Sequence, residues 1–127
     1  MTPVPVRRAL VLVAVGGAAG ALARYGIATA MPVAPGTFPW ATLLTNLSGC
    51  LALGVLIGLR PDDLVLRTLV GTGVLGGFTT FSTFALETDR LLGRHCTGRA
   101  LGYVAASTAG GLMAAAWGLR AGRRARP

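Results

Sequence analysis

The side chains in this sequence able to bind a solute by hydrogen bonds are mostly neutral donors, and they recur at helical spacing. Thr42, Thr45, Asn46 and Gly49 fall on one helix face by i, i+3 and i+4 steps, and Tyr103 and Ser107 form an i, i+4 pair. Thr79, Thr80, Ser82 and Thr83 crowd around Phe81 and Phe84, an i, i+3 pair. Amide and hydroxyl groups donate hydrogen bonds, and the edge of an aromatic ring carries partial positive charge. Donors without full positive charge suit a small anion that sheds its water and must leave again quickly. Each group also has an ordinary use. Hydroxyls bond back to their own helix, an Asn ties helices together, and Phe packs.

Enzyme constellations are missing. His95 is the one histidine, beside Cys96 in a loop, and a single His-Cys pair is too few ligands for a metal. Cys50 sits inside an apolar run, where a small buried thiol is the default. Ser107 has no His and Asp to activate it. Gly76-Gly77 lacks the spacing and strand context of a dinucleotide loop. The chain is expected not to be an enzyme.

The elements that hold these residues are apolar. The 127 residues are 53% hydrophobic and 13% charged, too few charges for the exterior of a soluble bundle. Four apolar runs match the roughly 20 residues that cross a bilayer: Ala9 to Met31, Phe38 to Leu59, Leu64 to Leu92 and Ala100 to Leu119. The reading is all-α, one four-helix membrane domain over 1–127. Pro32, Pro35, Gly36 and Pro39 separate the first two runs, and Arg60, Pro61, Asp62 and Asp63 the next two, with Asp62 or Asp63 available as N-cap. Arg7-Arg8, an apolar stretch and Ala21-Leu22-Ala23 also have the form of a secretory leader, but three further runs follow.

The third run is too long to cross once as a straight helix, and its middle holds Gly76-Gly77 followed by Thr79 and Thr80. The composition predicts a helix that breaks near 76–80 and restarts. Freed backbone groups inside a membrane are tolerated only where buried in protein or lining a polar cavity. Small residues mark close-packing faces: Gly16 and Gly20; Gly54 and Gly58; and a ridge of Gly102, Ala106, Gly110, Ala114 and Gly118. Some of these faces are expected to meet a second copy. Glu87 and Asp89 fall near the end of the third run, so no carboxylate is expected at mid-membrane for proton coupling. That argues against a small multidrug-type exporter, the alternative four-span class.

Three stretches together resemble a known family. Gly16-Gly17-Ala18-Ala19-Gly20-Ala21-Leu22-Ala23-Arg24-Tyr25, then Pro35-Gly36-Thr37 leading to Thr45-Asn46-Leu47-Ser48-Gly49, then Gly73-Val74-Leu75-Gly76-Gly77-Phe78-Thr79-Thr80-Phe81-Ser82-Thr83-Phe84 closely resemble the CrcB/Fluc fluoride channels. The resemblance implies a passive, fluoride-selective channel that exports the ion across the cytoplasmic membrane, built as an antiparallel dual-topology dimer. It implies a fluoride pathway along Asn46, Phe81, Phe84, Tyr103 and Ser107, with Thr79 beside it at the break. It also implies a structural Na⁺ at the dimer centre on main-chain carbonyls, here Gly77 and Thr80. Arg24 matches the Arg that ends the family's first-helix motif, read here as an anchor or as a vestibule charge that raises the local anion concentration.

Every basic residue is Arg, for a net charge of +8. The arginines stand at the ends of apolar runs rather than interleaved with aromatics, which points to membrane anchoring and not to nucleic acid. With both termini on one face, that face carries Arg7, Arg8, Arg60, Arg67, Arg120, Arg123, Arg124 and Arg126, against Arg24, Arg90, Arg94 and Arg99 on the other. A dual-topology homodimer expects near balance. The bias leaves a second option, a subunit of a heterodimeric channel with an oppositely oriented paralogue.

Overall fold

A computed structural model of the chain describes residues 4–126, and among them every regular element is a helix. Helix α1 (Val6–Ala30) begins after Pro5, and α2 (Trp40–Leu59) begins after Pro39. Proline has no N–H to lose and a fixed φ, so it starts a helix cleanly. The connection turns on Gly36, whose φ of 78° is readily reached by glycine.

The third span is composite. A short α3 (Leu64–Leu66) is capped by Asp63, whose Oδ1 accepts from the Leu66 N–H at 2.9 Å. A π-helical stretch, Arg67–Leu75, follows and runs into α4 (Gly76–Phe78). Thr79 and Thr80 then leave the helix with ψ of 158° and 124°, and α5 (Phe81–Gly93) restarts. The expected break is present, confined to two threonines. The π-helical run before it was not expected. Helix α6 (Thr97–Arg124) closes the fold.

Among the described residues, three segments are long and apolar enough to cross a membrane: α1, α2 and the composite third span. The fourth expected span differs. Helix α6 has the length, 28 residues, but Gly, Ser, Thr and Arg dilute its hydropathy, and it extends past 100–119 at both ends.

The helices associate in two pairs. Helix α1 packs on the π-helical stretch and α4, and α2 packs on α6, with few contacts between α1 and α2. Glycines allow both approaches. A Cβ at Gly20 would overlap the Val74 carbonyl, and one at Gly118 would overlap the Leu51 carbonyl. The close faces on α1 and α2 are thus used inside the chain. The ridge on α6 is only partly used: Gly118 seats against α2 together with Gly111 and Gly122, Gly110 meets Leu47, and Gly102 faces open space. Because the obstacle at Gly118 is backbone, which cannot step aside, Gly118→Val should cost at least the ~1–3 kcal/mol of an overpacked core. Size-exclusion of the detergent-solubilised variant should show loss of monodisperse protein. A Gly102→Val control should leave the isolated protomer's fold unchanged.

Candidate functional site

Two side chains from neighbouring helices hold the break. Asn46, on α2, grips the main chain of Thr80 with both polar atoms: Oδ1 accepts from the Thr80 N–H at 2.8 Å, and Nδ2 donates to the Thr80 carbonyl at 3.0 Å. Arg24, on α1, donates from Nε to the Gly77 carbonyl at 3.1 Å. Thr79 satisfies the Leu75 carbonyl with its own N–H and its hydroxyl, each at 2.9 Å. Thr80 Oγ1 caps the restarted helix by accepting from the Thr83 N–H at 3.2 Å. Unpaired backbone groups inside a membrane are costly, and these bonds answer several of them.

Beside the break lies a cleft of about 400 Å³ between the two helix pairs. Asn46, Thr79, Thr80, Phe81, Phe84 and Ser107 all line it. The Ser107 hydroxyl oxygen is buried and has no hydrogen-bond partner among the described residues. The Phe81 and Phe84 rings are 5.9 Å apart, and Phe84 continues to Tyr103 at 5.2 Å. Phe81 is 79% exposed on the isolated protomer, while Tyr103 is wholly buried. Tyr103 donates its hydroxyl to Glu87 Oε2 at 2.7 Å, and Thr42 donates to Glu87 Oε1 at 2.9 Å. Hydroxyl and aromatic groups therefore run from the cleft to a carboxylate.

Asn46, Thr79, Phe81, Phe84 and Ser107, residues for which the resemblance implied a common pathway, line one cleft, and Tyr103 adjoins it through Phe84. The structure gives five of the residues singled out in the sequence specific surroundings. Asn46 is spent largely on Thr80, with one Nδ2 hydrogen left for the cleft. The Arg24 side chain, read from the sequence as an anchor or a vestibule charge, reaches the break, where it lines a small hollow with Thr42, Thr45, Thr80 and Thr83. The Gly77 and Thr80 carbonyls each already accept a bond from a side chain. Thr45 drops out of the set, because its hydroxyl bonds back to the Ala41 carbonyl at 2.8 Å.

Glu87 is the residue that sequence reasoning missed. The sequence placed it near the end of the third run and gave it no part in the site. On α5, Glu87 instead accepts from Thr42 of α2 and Tyr103 of α6. The available signal was its phase: Phe84 and Glu87 are three residues apart, on one face of α5.

Comparison with known proteins places this arrangement among relatives. Residues 11–119 match the family described as CrcB-like protein, Camphor Resistance (CrcB). The chain is 46% identical over 126 residues to a protein of Nocardia farcinica named fluoride-specific ion channel FluC 2, covering 91% of this chain and 90% of that one. It is 47% identical over 114 residues to fluoride-specific ion channel FluC of Paracoccus denitrificans, covering 87% and 91%. It is 44% identical over 118 residues to fluoride-specific ion channel FluC 1 of Streptomyces coelicolor, covering 86% and 75%.

Proposed function

Because this chain belongs to the CrcB family, and is a multi-pass membrane protein, we propose that it is a fluoride-selective passive channel that lets fluoride leave the cell, and not an enzyme. The observation that carries this reading is the cleft at the helix break, where neutral donors and aromatic edges meet and the buried Ser107 hydroxyl has no protein partner. A dehydrated fluoride accepts hydrogen bonds from hydroxyl and amide groups and is attracted by ring edges. In this reading the remaining Asn46 N–H, Phe81, Phe84 and Ser107 receive the ion, and Tyr103 continues the route towards Glu87 and Thr42.

In the proposed assembly all four helices cross the membrane, and two antiparallel copies bring two breaks together. The exposed Phe81 ring and the open Gly102 face support a partner at these positions. A structural Na⁺ belongs to the same proposal. The Gly77 and Thr80 carbonyls fit it chemically: they are hard oxygen donors, and each accepts one side-chain hydrogen bond and keeps a second lone pair. Such an ion would supply positive charge to carbonyls that no helix satisfies.

A heterodimer with an oppositely oriented paralogue is the second reading. It is favoured by the uneven arginine distribution and by relatives numbered FluC 1 and FluC 2. Fluoride efflux from liposomes holding only this purified chain tests both. Robust efflux that follows the electrochemical gradient is expected for a homomeric channel. Efflux only when a paralogue is added assigns the heterodimer. Strict dependence on a proton gradient, at fixed fluoride gradient and voltage, would overturn passive conduction.

A further inference from the structure

A second cavity, of about 270 Å³, lies on the other side of Glu87, between the loop joining α1 to α2 and the last turns of α5. Glu87 stands in its wall, and Arg90 and Arg94, one and two turns further along α5, line it with Pro35, Gly36 and Thr37. Arg99 comes to the same loop, where its Nη1 donates to the Gly36 carbonyl at 2.6 Å. The Glu87 oxygens are both occupied by hydroxyl donors. Neither Arg90 nor Arg94 forms an ion pair or a side-chain hydrogen bond among the described residues. The ion pair of the described chain, Arg126 with Asp62, involves neither the loop joining α1 to α2 nor α5. Two uncommitted guanidinium groups, with a third nearby, therefore face one carboxylate whose oxygens are already hydrogen-bonded.

We propose that this cavity is an anion-collecting site: Arg90 and Arg94 concentrate small inorganic anions at the mouth that leads past Glu87 to Tyr103 and the aromatic pair. Arginine suits a collecting role because it stays charged at all working pH values and is less strongly hydrated than an ammonium. Its place at the rim, rather than in the cleft, raises the local anion concentration without trapping the ion on the path. The route assigned to this mouth rests on the channel reading given above. The collection of anions does not, and the test separates the two.

Cys96 provides a local probe, because its sulfur lies near Gly36 and Arg94, beside the cavity, and is partly exposed. Full-length protein in liposomes is treated with an anionic (sulfonatoethyl) or a cationic (trimethylammonioethyl) methanethiosulfonate, and the Cys96 peptide is followed by mass spectrometry. At low ionic strength the anionic reagent should gain roughly three- to tenfold over the cationic one, relative to a free thiol, and Arg90→Gln/Arg94→Gln should remove that gain. Near 1 M salt, where the Debye length falls to about 3 Å, wild type and variant should converge. Flux at sub-saturating fluoride should fall in the same variant at low salt and recover at high salt. An unchanged reagent ratio in the variant overturns the collecting site. A changed ratio with equal flux keeps the site and removes it from the route. Absence of fluoride flux in the wild type both alone and with a paralogue, with the reagent ratio intact, removes the channel reading alone.

Discussion

Asn46→Leu is expected to stop fluoride flux and to open the break in the third span. Leucine keeps the bulk and cannot bond, so the Thr80 N–H and carbonyl both lose their partner. Each buried group left unsatisfied costs about 1–3 kcal/mol. A cost near 2.8 kcal/mol already shifts the population of the intact break roughly 100-fold. Asn46→Asp should do less structural harm, since a carboxylate oxygen still accepts from the Thr80 N–H, but it sets negative charge against the Thr80 carbonyl and on the anion's path. Hydrogen exchange at the Thr80 amide reports the brace directly. Lost flux with undiminished protection of that amide would show that Asn46 acts on the ion and not on the backbone.

Phe84→Ile should lower flux at least about tenfold, and Phe81→Ile should do so without loosening the protomer. Isoleucine keeps apolar volume and removes the ring's charged edge. The two positions differ in what else depends on them. Phe84 touches Tyr103, so its loss also frees a buried ring, at a cost of roughly 0.5–1.5 kcal/mol for the aromatic pair. Phe81 is mostly exposed, so its replacement leaves the packing of a single chain almost untouched. Liposome flux, paired with thermal unfolding in detergent, separates the two effects. Wild-type flux in both variants would reduce the rings to packing.

Much of this was legible in the residues themselves. Gly76-Gly77 ahead of Thr79 and Thr80 marked the break because paired glycines and β-branched hydroxyl residues are poor helix formers. The i, i+3 and i+4 steps correctly gathered Phe81 with Phe84 and Tyr103 with Ser107, because those relations hold within one helix. Relations between helices were not legible. Nothing local in Arg24 says that it reaches Gly77, 53 residues away, and nothing local in Asn46 says that both its polar atoms go to one backbone residue. Hydropathy likewise ranked α6 with the other spans although its small residues serve the α2 interface. The partners of Glu87 were not legible either, because Thr42 and Tyr103 lie on other helices.

The π-helical stretch Arg67–Leu75 gives the third span a property the other helices lack. Its i→i+5 hydrogen bonds enclose one residue more than the i→i+4 bonds of an α-helix do. A single deletion inside it can be taken up by i→i+5 bonds tightening to i→i+4, which turns the flanking segments less than a deletion in a regular α-helix does. The same deletion in α2 would rotate Asn46 away from Thr80, by about 100° at 3.6 residues per turn. Changes in chain length along this protein are therefore best absorbed between residues 67 and 75, and natural variants that gain or lose one residue within a span should have done so there.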